Sequence, residues 1–559
     1  MKSFLVVILL AAIVYILPLN VRPISTPDES RYAEIPREMI TSGDWIVPHL
    51  NGVRYFEKPV MGYWITAISI LLFGENNFAT RLPCALSALM SALFVFLVVR
   101  KTTSDDRKSA LTAAGFLSCF LVFAIGVFNV LDSLFSMFVT GMMTFFFLAA
   151  NEPRAKQRNI LLAVCGISCG FAFLTKGFLA FALPAIAILP YLAWERKIKD
   201  IFRLAWIPAI AAALVILPWA ALIHLRDNDY WYQFFYVEHV QRFFSPQGKA
   251  QHAEPWWYLF QFLLGGMVPW LFVLPAALIG IRHRGFTNPL TRFAVCWLCS
   301  FFIFFSISSG KLGTYILPCF PPLMILVIDG LLQHLETGRS RIFSWGGIIL
   351  AILMLSASSF LVISQTSTGL EQMRAYYDSE SWKWMLLAAG FASFGLLLLM
   401  AAKATTAYGR LAVYAASPLI LFFAIHFAIP HAFRMKAREC MDPVGMIKEF
   451  GEKLAPDSII ISDSYLAPAI CWAYKRTDIY LYKNGGELTY GLQRPEAKHR
   501  LVQTEDLSFF NDISKKPVTM ITDIGDYEDE SANLPKPFFL LKTNGLVFAQ
   551  YRFGEEEKK

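Results

Sequence analysis

The sequence predicts a polytopic α-helical membrane protein with a small α/β domain at its C-terminal end, outside the membrane. The first observation is composition: the 559 residues are 56% hydrophobic and only 16% charged, whereas a soluble chain carries about 25% charged residues. The second is a mean hydropathy of +0.48, which arises from recurring apolar segments of about 20 residues, the length that crosses a bilayer. The third is that residues 429–559 are polar and lack such segments.

Thirteen apolar segments are expected to span the membrane, and the first follows Lys2. No small-residue cleavage site follows it, which favours an uncleaved helix over a signal peptide. The segment 62–73 is too short to cross a bilayer and is expected at its interface. The predicted spans are 4–20, 79–99, 109–127, 131–150, 160–175, 177–193, 203–223, 257–280, 292–308, 313–332, 343–363, 383–402 and 411–428.

Lys and Arg are concentrated in every second connection between these spans, as in 100–108, 154–158 and 196–203. By the positive-inside rule these connections are cytoplasmic, and so is the N-terminus. With thirteen spans, the C-terminal domain lies on the opposite, external face, together with the long loops 21–78 and 224–256. The net charge of +8 forms no basic stripe, so nothing indicates nucleic-acid binding.

The external regions are expected to fold, with domains placed at 1–430 and 431–559. Helices are predicted at 30–42, with Gly43 as its stop, and at 56–73, both lying along the membrane surface. Cys440 and Cys471 are a candidate disulfide pair if their domain is extracytoplasmic. In the C-terminal domain, DSIIISD, TDIYLY and PVTMITD predict strands, PFFLLKTNGLVFAQYRF predicts a hairpin, and DPVGMIKEFGEKL and TEDLSFFNDI predict helices.

Ionisable side chains collect where the external loops meet the spans, a costly placement that points to function. Structural interpretations stand beside the functional ones. Asp28 could cap the helix that begins near Ser30, and Glu57 with Lys58 could be a solvated surface pair. His239 could simply lie at the interface, and Lys176 and Lys311 could snorkel to the headgroups. The candidate residues are Asp28, Arg31, Tyr55, Glu57, Lys58, Asp132, His239, Arg242, Lys311 and Tyr315.

These residue types, taken together, suit one kind of chemistry. Glu57 with His239 is a plausible divalent-metal pair. Lysine and arginine beside tyrosine suit a phosphate. A carboxylate opposite a phosphate-bearing ligand suits glycosyl transfer, because positive charge develops at the anomeric carbon of the sugar.

At these residues the chain resembles a known family. PDESRYAEI, SGDWIVPHLNGVRYFEKPVMGYW, FGENNFATRLP, TKGF, YVEHVQRF and GKLGTYIL are together similar to the bacterial 4-amino-4-deoxy-L-arabinose lipid A transferases, the ArnT family. This family belongs to the C-type glycosyltransferase superfamily, which includes protein O-mannosyltransferases. The similarity extends from the N-terminus to about residue 330 and weakens beyond it.

The resemblance implies an enzyme of the bacterial inner membrane with a periplasmic active site. The donor is undecaprenyl phosphate carrying the aminosugar, the acceptor is a lipid A phosphate, and the product confers resistance to polymyxin and cationic antimicrobial peptides. We expect a monomer surrounded by membrane lipids. Asp28 and Asp132 match the family's acids, and Glu57 with His239 matches its divalent-ion site, for which the resemblance implies zinc. The positions matching those that face the carrier phosphate are Lys58, Arg242 and Tyr315, with Tyr55, Arg31 and Lys311 nearby.

Two other functions are compatible with the sequence. One is a different C-type glycosyltransferase that uses another polyprenyl-phosphate sugar to modify a protein or a lipid. The other is a transporter of the lipid-linked sugar, but transporters usually show internal repeats and broken helices at the midplane, and no repeat is visible. One position departs from the family pattern, since Gly313 stands where GKLPTY is expected, and a looser backbone is predicted beside Tyr315.

Overall fold

The fold is described from a computed structural model, which describes residues 2–241, 253–338, 340–367, 369–428, 443–451, 454, 458–503, 517–543 and 545–551. The chain forms two compact units. The helical unit comprises Met1–Leu19, Arg81–Arg374 and Asp378–Ala428. The mixed unit comprises Asn20–Thr80, Ala375–Tyr377 and Ile429–Lys559. The predicted division at residue 430 stays a prediction; the loop before residue 81 groups with the C-terminal residues.

The helices in chain order are α1 (Lys2–Tyr15), α2 (Asp28–Ser42), α3 (Met61–Phe73), α4 (Asn77–Thr103), α5 (Asp106–Leu117), α6 (Phe120–Gly126), α7 (Leu131–Ala150), α8 (Ala155–Lys176), α9 (Leu179–Trp194), α10 (Ile201–Arg226), α11 (Tyr258–Gly266), α12 (Leu274–Arg284), α13 (Pro289–Ile307), α14 (Phe320–Glu336), α15 (Arg341–Thr366), α16 (Ser381–Lys403), α17 (Ala407–Ala416), α18 (Leu419–Phe427), α19 (Pro443–Gly451), α20 (Ala467–Tyr474), α21 (Thr489–Leu492) and α22 (Ile524–Glu530). The strands are β1 (His49–Leu50), β2 (Val53–Arg54), β3 (Ile459–Ser462), β4 (Tyr480–Tyr482), β5 (Leu501–Val502), β6 (Val518–Asp523), β7 (Phe539–Thr543) and β8 (Leu546–Tyr551).

The helical unit contains the apolar helices that the sequence predicts. Within the described residues, nine helices are long and apolar enough to cross a bilayer, or eleven if each of two bent helix pairs is one span. The predicted count of thirteen is therefore not confirmed. The difference arises at the predicted spans 4–20 and 177–193, which form only α1 and α9, of 14 and 16 residues. Helices this short fall below the roughly 20 residues that a straight span needs.

Two predicted spans are bent rather than straight. The segment 109–127 forms α5 and α6, which meet at 67°, and the segment 257–280 contains a 90° bend after α11. Pro269 lies in the second break and has no N–H to continue a helical hydrogen-bond ladder. Backbone groups freed by the two breaks bond to each other, since Phe120 N donates to Val268 O at 3.0 Å. This hydrogen bond pairs two backbone groups that the breaks would otherwise leave without a partner in the apolar unit.

Close backbone approach and a buried charge cluster join helices of this unit. Gly280 of α12 packs directly on the carbonyl of Gly330 in α14, where a Cβ would collide. Small residues allow this approach between apolar helices. Nearby, Asp329 accepts from Lys108, and from Arg284 Nη1 at 2.6 Å. One buried carboxylate thus links α5, α12 and α14.

The mixed unit contains a six-stranded sheet in the order β5-β4-β3-β6-β8-β7. Strands β5, β4, β3 and β6 are parallel, and β8 and β7 continue the sheet as an antiparallel hairpin. The four strand segments and the α19 helix that the sequence predicts are confirmed. The predicted helix at TEDLSFFNDI lies outside the described residues. So does Cys440, while Cys471 is a buried free thiol, so the disulfide stays a prediction.

Helix α2 is buried in protein rather than spread along a surface. Every residue from Glu29 to Met39 is buried, and α2 packs against α3 and α20. As predicted, the helix stops at Gly43, whose φ of 71° is left-handed. The burial differs from the expected membrane-surface helix, because hydrogen bonds within the unit satisfy its polar side chains. Arg37, for example, donates twice to Glu34, at 2.5 and 2.7 Å.

Candidate active site

Asp28 is the first residue of α2, and its carboxylate is half exposed. The N-cap position is Pro27, so the interpretation of Asp28 as a mere helix cap is wrong. Arg31 lies one turn later and donates from Nη2 to Asp28 Oδ1 at 2.5 Å. The Asp28 side chain is 51% exposed, whereas that of Arg31 is 10% exposed. A nearly buried guanidinium therefore fixes a carboxylate that stays open on one side.

Arg31 is held on its other side by Glu487, a residue of the C-terminal part of the same unit. Arg31 Nη1 donates to Glu487 Oε2. Burial opposes the charge of Arg31, but the surrounding tyrosines and carboxylates outweigh it and raise its pKa further above its ordinary value. Burial alone would raise the pKa of Glu487, but Arg31 and Tyr55 reverse the effect and lower it. The pair is therefore ionised, with one cation between two carboxylates.

Tyr55, Glu57 and Lys58 lie next to this pair. The Tyr55 hydroxyl lies 2.9 Å from Glu487 Oε2 and 3.3 Å from Glu57 Oε2. Burial raises the pKa of Tyr55 well above its ordinary value, which keeps the phenol protonated as a donor. Lys58 Nζ donates to the backbone carbonyl of Glu57 at 3.0 Å and lies 3.9 Å from its carboxylate. The side chains of Lys58 and Glu57 are only 23% and 14% exposed, so they are not a fully solvated surface pair.

In the helical unit, Asp132 and Tyr315 lie beside a shared cation. Asp132 occupies the first turn of α7, and Lys176 is the last residue of α8. Lys176 Nζ lies 2.8 Å from Asp132 Oδ1 and 5.0 Å from the centre of the Tyr315 ring. Lys176 therefore pairs with a carboxylate within the unit, which replaces the interpretation of a lysine that snorkels outwards.

Gly313 and Lys311 define the segment that carries Tyr315. Gly313 begins a 3-10 helix, Gly313–Cys319, and packs so closely on the ring of Phe262 that a Cβ would collide with it. A side chain at residue 313, where the resemblance leads us to expect proline, would require the ring of Phe262 to shift. Lys311 is buried, and its Nζ donates to the backbone carbonyl of Glu254 at 2.6 Å. Burial lowers the pKa of Lys311.

The predicted metal pair is only partly described. Glu57 supplies one carboxylate with Lys58 and Tyr55 as neighbours, the backbone of His239 lies in a π-helix, Tyr232–Gln241, and the side chain of His239 lies outside the described residues. Arg242 lies outside them altogether. Among the residues that the structure describes, no group of three or more His, Cys, Asp or Glu side chains could hold a metal ion. The divalent-metal pair of Glu57 with His239 therefore stays a prediction.

The arrangement of the mixed unit suits a ligand with an electron-poor carbon or a cationic group. Asp28 offers an open carboxylate held in place by Arg31, and Tyr55 offers a hydroxyl donor that does not ionise. Lys58 adds a partly exposed ammonium group that can meet an anion. A carboxylate, a donor and a cation in one group can therefore stabilise separating charges during a group transfer.

Comparison with known proteins identifies the family of the chain. A profile of dolichyl-phosphate-mannose-protein mannosyltransferases matches residues 1–233, and one of the arabinosyl transferase ArnT C-terminal domain matches residues 439–550. Two relatives carry the name undecaprenyl phosphate-alpha-4-amino-4-deoxy-L-arabinose arabinosyl transferase. That of Shewanella sediminis is 40% identical, covering 94% of this chain and 93% of its own length. That of Photorhabdus laumondii is 36% identical, with the same two coverages.

The chain belongs to this arabinosyl transferase family. It is therefore a glycosyltransferase, and the alternative of a transporter falls away. The fold agrees: ArnT from Cupriavidus metallidurans, solved bound to undecaprenyl phosphate, superposes with a TM-score of 0.80 at 23% identity, covering 98% of this chain and 97% of that one. The apo crystal structure of that protein superposes with a TM-score of 0.79. The predicted fold class, a polytopic helical membrane protein with a small C-terminal α/β domain, is thus confirmed, while the count of thirteen spans is not and the periplasmic side stays a prediction.

Sequence reasoning missed two residues that contact the predicted site residues of this arabinosyl transferase. Glu487 was not selected, because it lies 456 residues from Arg31 and carries no motif. Lys176 was noted in the TKGF turn but not selected, since nothing in the sequence pairs it with Asp132, 44 residues away. The roles of the ten selected residues stay predictions.

Proposed function

We propose that this chain transfers 4-amino-4-deoxy-L-arabinose from undecaprenyl phosphate to a phosphate of lipid A, at the periplasmic face of the bacterial inner membrane. The observation that carries the proposal is 40% identity over 94% of the chain to a protein named for that donor. The group of acid, cation and phenol around Asp28 supplies chemistry that fits it. Resistance to polymyxin and cationic peptides follows, because an added amine lowers the negative charge of the outer membrane.

The reaction is a displacement at the anomeric carbon of the sugar. A lipid A phosphate oxygen forms the new bond to that carbon, and the bond to the undecaprenyl phosphate oxygen breaks, which inverts the centre. The nucleophile needs no strong base, because a phosphate monoester is already largely ionised at neutral pH, with a second pKa of about 6. The electrons of the broken bond remain on the departing phosphate. Orientation and electrostatic stabilisation therefore supply most of the acceleration.

Some of the site residues act on the sugar, and others act on the phosphate that leaves it. The open carboxylate of Asp28 stabilises the positive charge that develops on the sugar, and Arg31 holds it in position. Lys58 neutralises the phosphate that leaves, together with Arg242 and Tyr315 as the family resemblance implies. Asp132 keeps Lys176 oriented beside Tyr315 and is the second carboxylate that takes part in the reaction.

A second candidate has one observation in its favour. The mannosyltransferase profile matches residues 1–233, the part of the chain that carries Asp28, Lys58 and Asp132. This supports a general polyprenyl-phosphate-sugar chemistry and leaves room for another sugar or acceptor. The two candidate functions differ in the donor sugar and in the acceptor that the enzyme uses.

The test is an assay of the purified full-length protein with two donors, undecaprenyl phosphate carrying the aminosugar or carrying mannose, and with either lipid A or a peptide as acceptor. Mass spectrometry of lipid A is expected to show addition of the aminosugar alone. Transfer from the mannosyl donor, or transfer to a peptide acceptor but not to lipid A, would favour the second candidate. No transfer by folded protein from either donor would contradict both.

A further inference from the structure

A groove in the helical unit lies away from Asp132 and Lys176. It has a volume of about 530 Å³ and is formed by α1, α5, α17 and the start of α18. Its lining is almost entirely apolar, with small side chains such as Ala11, Ala114 and Ala412 between valines and leucines. Three polar residues also line it: Ser3, Arg107 and Tyr408. We call this cavity the α1–α5–α17 groove.

The polar residues of the groove lie at one end, because its helices begin together. The Tyr408 hydroxyl donates to Asp105 Oδ2 at 2.6 Å, which places the start of α17 beside the start of α5. The Tyr15 hydroxyl donates to the carbonyl of Leu117 at 2.7 Å, which places the end of α1 beside the end of α5. Three helix N-termini therefore surround Ser3, Arg107 and Tyr408, and the positive ends of their dipoles point the same way.

The length of the groove matches one leaflet of a bilayer. From Arg107 to Leu117 the lining follows α5 for about 15 Å at the helical rise per residue. The hydrocarbon core of a bilayer is about 30 Å thick, so the groove covers roughly half of it. A transmembrane helix of a partner would need a face of the full thickness. A single acyl chain from one leaflet needs only half.

The charge at the polar end favours an anion. Asp106 pairs with Arg100 at 2.5 Å, and Lys108 pairs with Asp329. Asp105 accepts the backbone N–H groups of Arg107 and Lys108 as an N-cap. The guanidinium of Arg107 is exposed and has no hydrogen bond or ion pair within the described part of the chain. It is a cation of the groove lining that can meet a headgroup.

We propose that the α1–α5–α17 groove binds an anionic glycerophospholipid, with one acyl chain along the alanine-lined wall and the headgroup phosphate at Arg107. Basic pockets between transmembrane helices on the cytoplasmic side bind anionic headgroups in this way. The basic connection that contains Arg107 is predicted to be cytoplasmic, so the lipid comes from the inner leaflet. The site is separate from the residues assigned to sugar transfer and does not depend on that assignment.

The experiment measures lipid retention by the full-length protein in nanodiscs that contain equal amounts of phosphatidylglycerol and phosphatidylcholine with the same acyl chains. Native mass spectrometry after release is expected to show phosphatidylglycerol retained in preference. Arg107→Gln is expected to weaken that retention about fivefold, the worth of one basic residue near an anionic surface. The matched control is Lys156→Gln, which removes an exposed cation of α8 that does not line the groove.

A second variant tests the acyl chain independently of the charge. Ala412→Phe fills the groove from an exposed position of α17 and is expected to abolish retention of both lipids, while size-exclusion chromatography checks the fold. Equal retention of phosphatidylglycerol by wild type and Arg107→Gln would overturn the proposal whatever Ala412→Phe does. So would equal retention of both lipids by the wild type, or a copurified protein seated in place of a lipid.

Discussion

At the residue scale, the arrangement around Arg31 explains how a half-exposed carboxylate keeps one orientation. Arg31 lies between two carboxylates, Asp28 on one side and Glu487 on the other. Tyr55 donates to the same Glu487 oxygen at 2.9 Å. Removing Glu487 leaves Asp28 untouched but releases the guanidinium that positions it. Glu487 is therefore a positioning residue.

The first prediction concerns Glu487→Gln. The amide keeps an acceptor for Tyr55 but loses the charge that Arg31 meets. Loss of a charge-assisted hydrogen bond is worth about 1.5–3 kcal/mol, so kcat/KM for aminosugar transfer is expected to fall by about 10- to 100-fold. Steady-state kinetics of the purified variant provide the measurement, and most of the loss is expected in kcat.

The matched control for that variant is Glu496→Gln. Glu496 also pairs with an arginine of the loop, Arg54, but its side chain is 59% exposed, and an exposed pair contributes little. Its kinetics are expected to equal those of the wild type. If Glu487→Gln also behaves as the wild type, Arg31 does not need a second carboxylate and the positioning role is wrong.

The candidate site was only partly predictable because sequence motifs are local. Asp28 and Arg31 lie within one helical turn, and Tyr55, Glu57 and Lys58 within four residues, so their proximity follows from the local chain. The pairing of Lys176 with Asp132 depends on how α7 and α8 pack, and that of Glu487 on a turn far along the chain. Neither packing relation leaves a sign in the local sequence.

At the element scale, the turn between β1 and β2 is fixed by contacts across the mixed unit. Asn51 and Gly52 both have positive φ, 57° and 68°, as a two-residue hairpin turn requires. The carboxylate of Glu38 accepts both of their backbone N–H groups, at 2.5 and 2.9 Å. Arg500 donates to the carbonyl of Asn51 at 2.6 Å. The turn thus anchors the loop that carries Tyr55.

The second prediction compares Gly52→Ala with Gly43→Ala. Both glycines have similar positive φ, but a Cβ at Gly52 would lie 2.8 Å from the carbonyl oxygen of Thr477, whereas a Cβ at Gly43 meets nothing within 4 Å. We expect a loss of about 1–2 kcal/mol at Gly43 and about 3–4 kcal/mol at Gly52, where overpacking adds to the backbone term. Thermal unfolding in detergent checks the order, and equal losses would contradict the close packing.

The third prediction concerns pH. Burial, only partly offset by Arg37, raises the pKa of Glu34 from 4.5 to about 8, and burial also raises that of Glu38. Between pH 4.5 and about pH 8, Glu34 is protonated in the folded protein and ionised in the unfolded chain. The free energy of unfolding therefore falls as pH rises through this range. Glu34→Gln is expected to flatten this dependence, measured as melting temperature against pH. An unchanged slope would show that Glu34 is ionised throughout the range.

The elements were more predictable than the site because hydropathy and turn residues are local signals. Apolar runs indicated the long helices, β-branched and aromatic runs indicated β3, β4 and β6, and Gly43 marked the end of α2. The bends at Cys119 and Pro269 were missed, since an apolar run has the same composition whether its helix is straight or broken. The burial of α2 was missed because its charged residues form ion pairs only in the folded unit.

At the scale of the whole molecule, the distribution of Lys and Arg predicts the orientation in the membrane. The basic connections predict a cytoplasmic N-terminus, and the thirteen spans that the sequence predicts would place the C-terminal domain on the other side. Among the described residues, nine helices or up to eleven could cross a bilayer, so the orientation stays a prediction from the thirteen spans that the sequence indicates. The residues of the C-terminal domain reach lipid A only if that domain is periplasmic.

The fourth prediction tests this orientation with reporters fused after Lys559 of the full chain. Alkaline phosphatase, which is active only outside the cytoplasm, is expected to be active, and green fluorescent protein exported unfolded is expected to be dark. The control is the same pair of reporters at the N-terminus, where the fluorescent protein should shine. The opposite pattern at Lys559 would reverse the topology and exclude a periplasmic role for Glu487.

We propose above all that the half-exposed carboxylate of Asp28 acts in transfer of the aminosugar to lipid A. The most direct measurement is the lipid A mass spectrum of a strain that makes the donor, lacks its own transferase and expresses either the wild type or Asp28→Asn at equal membrane levels. The wild type is expected to add the aminosugar, and Asp28→Asn to transfer about 100-fold less or below detection. Equal modification by both proteins would contradict the claim.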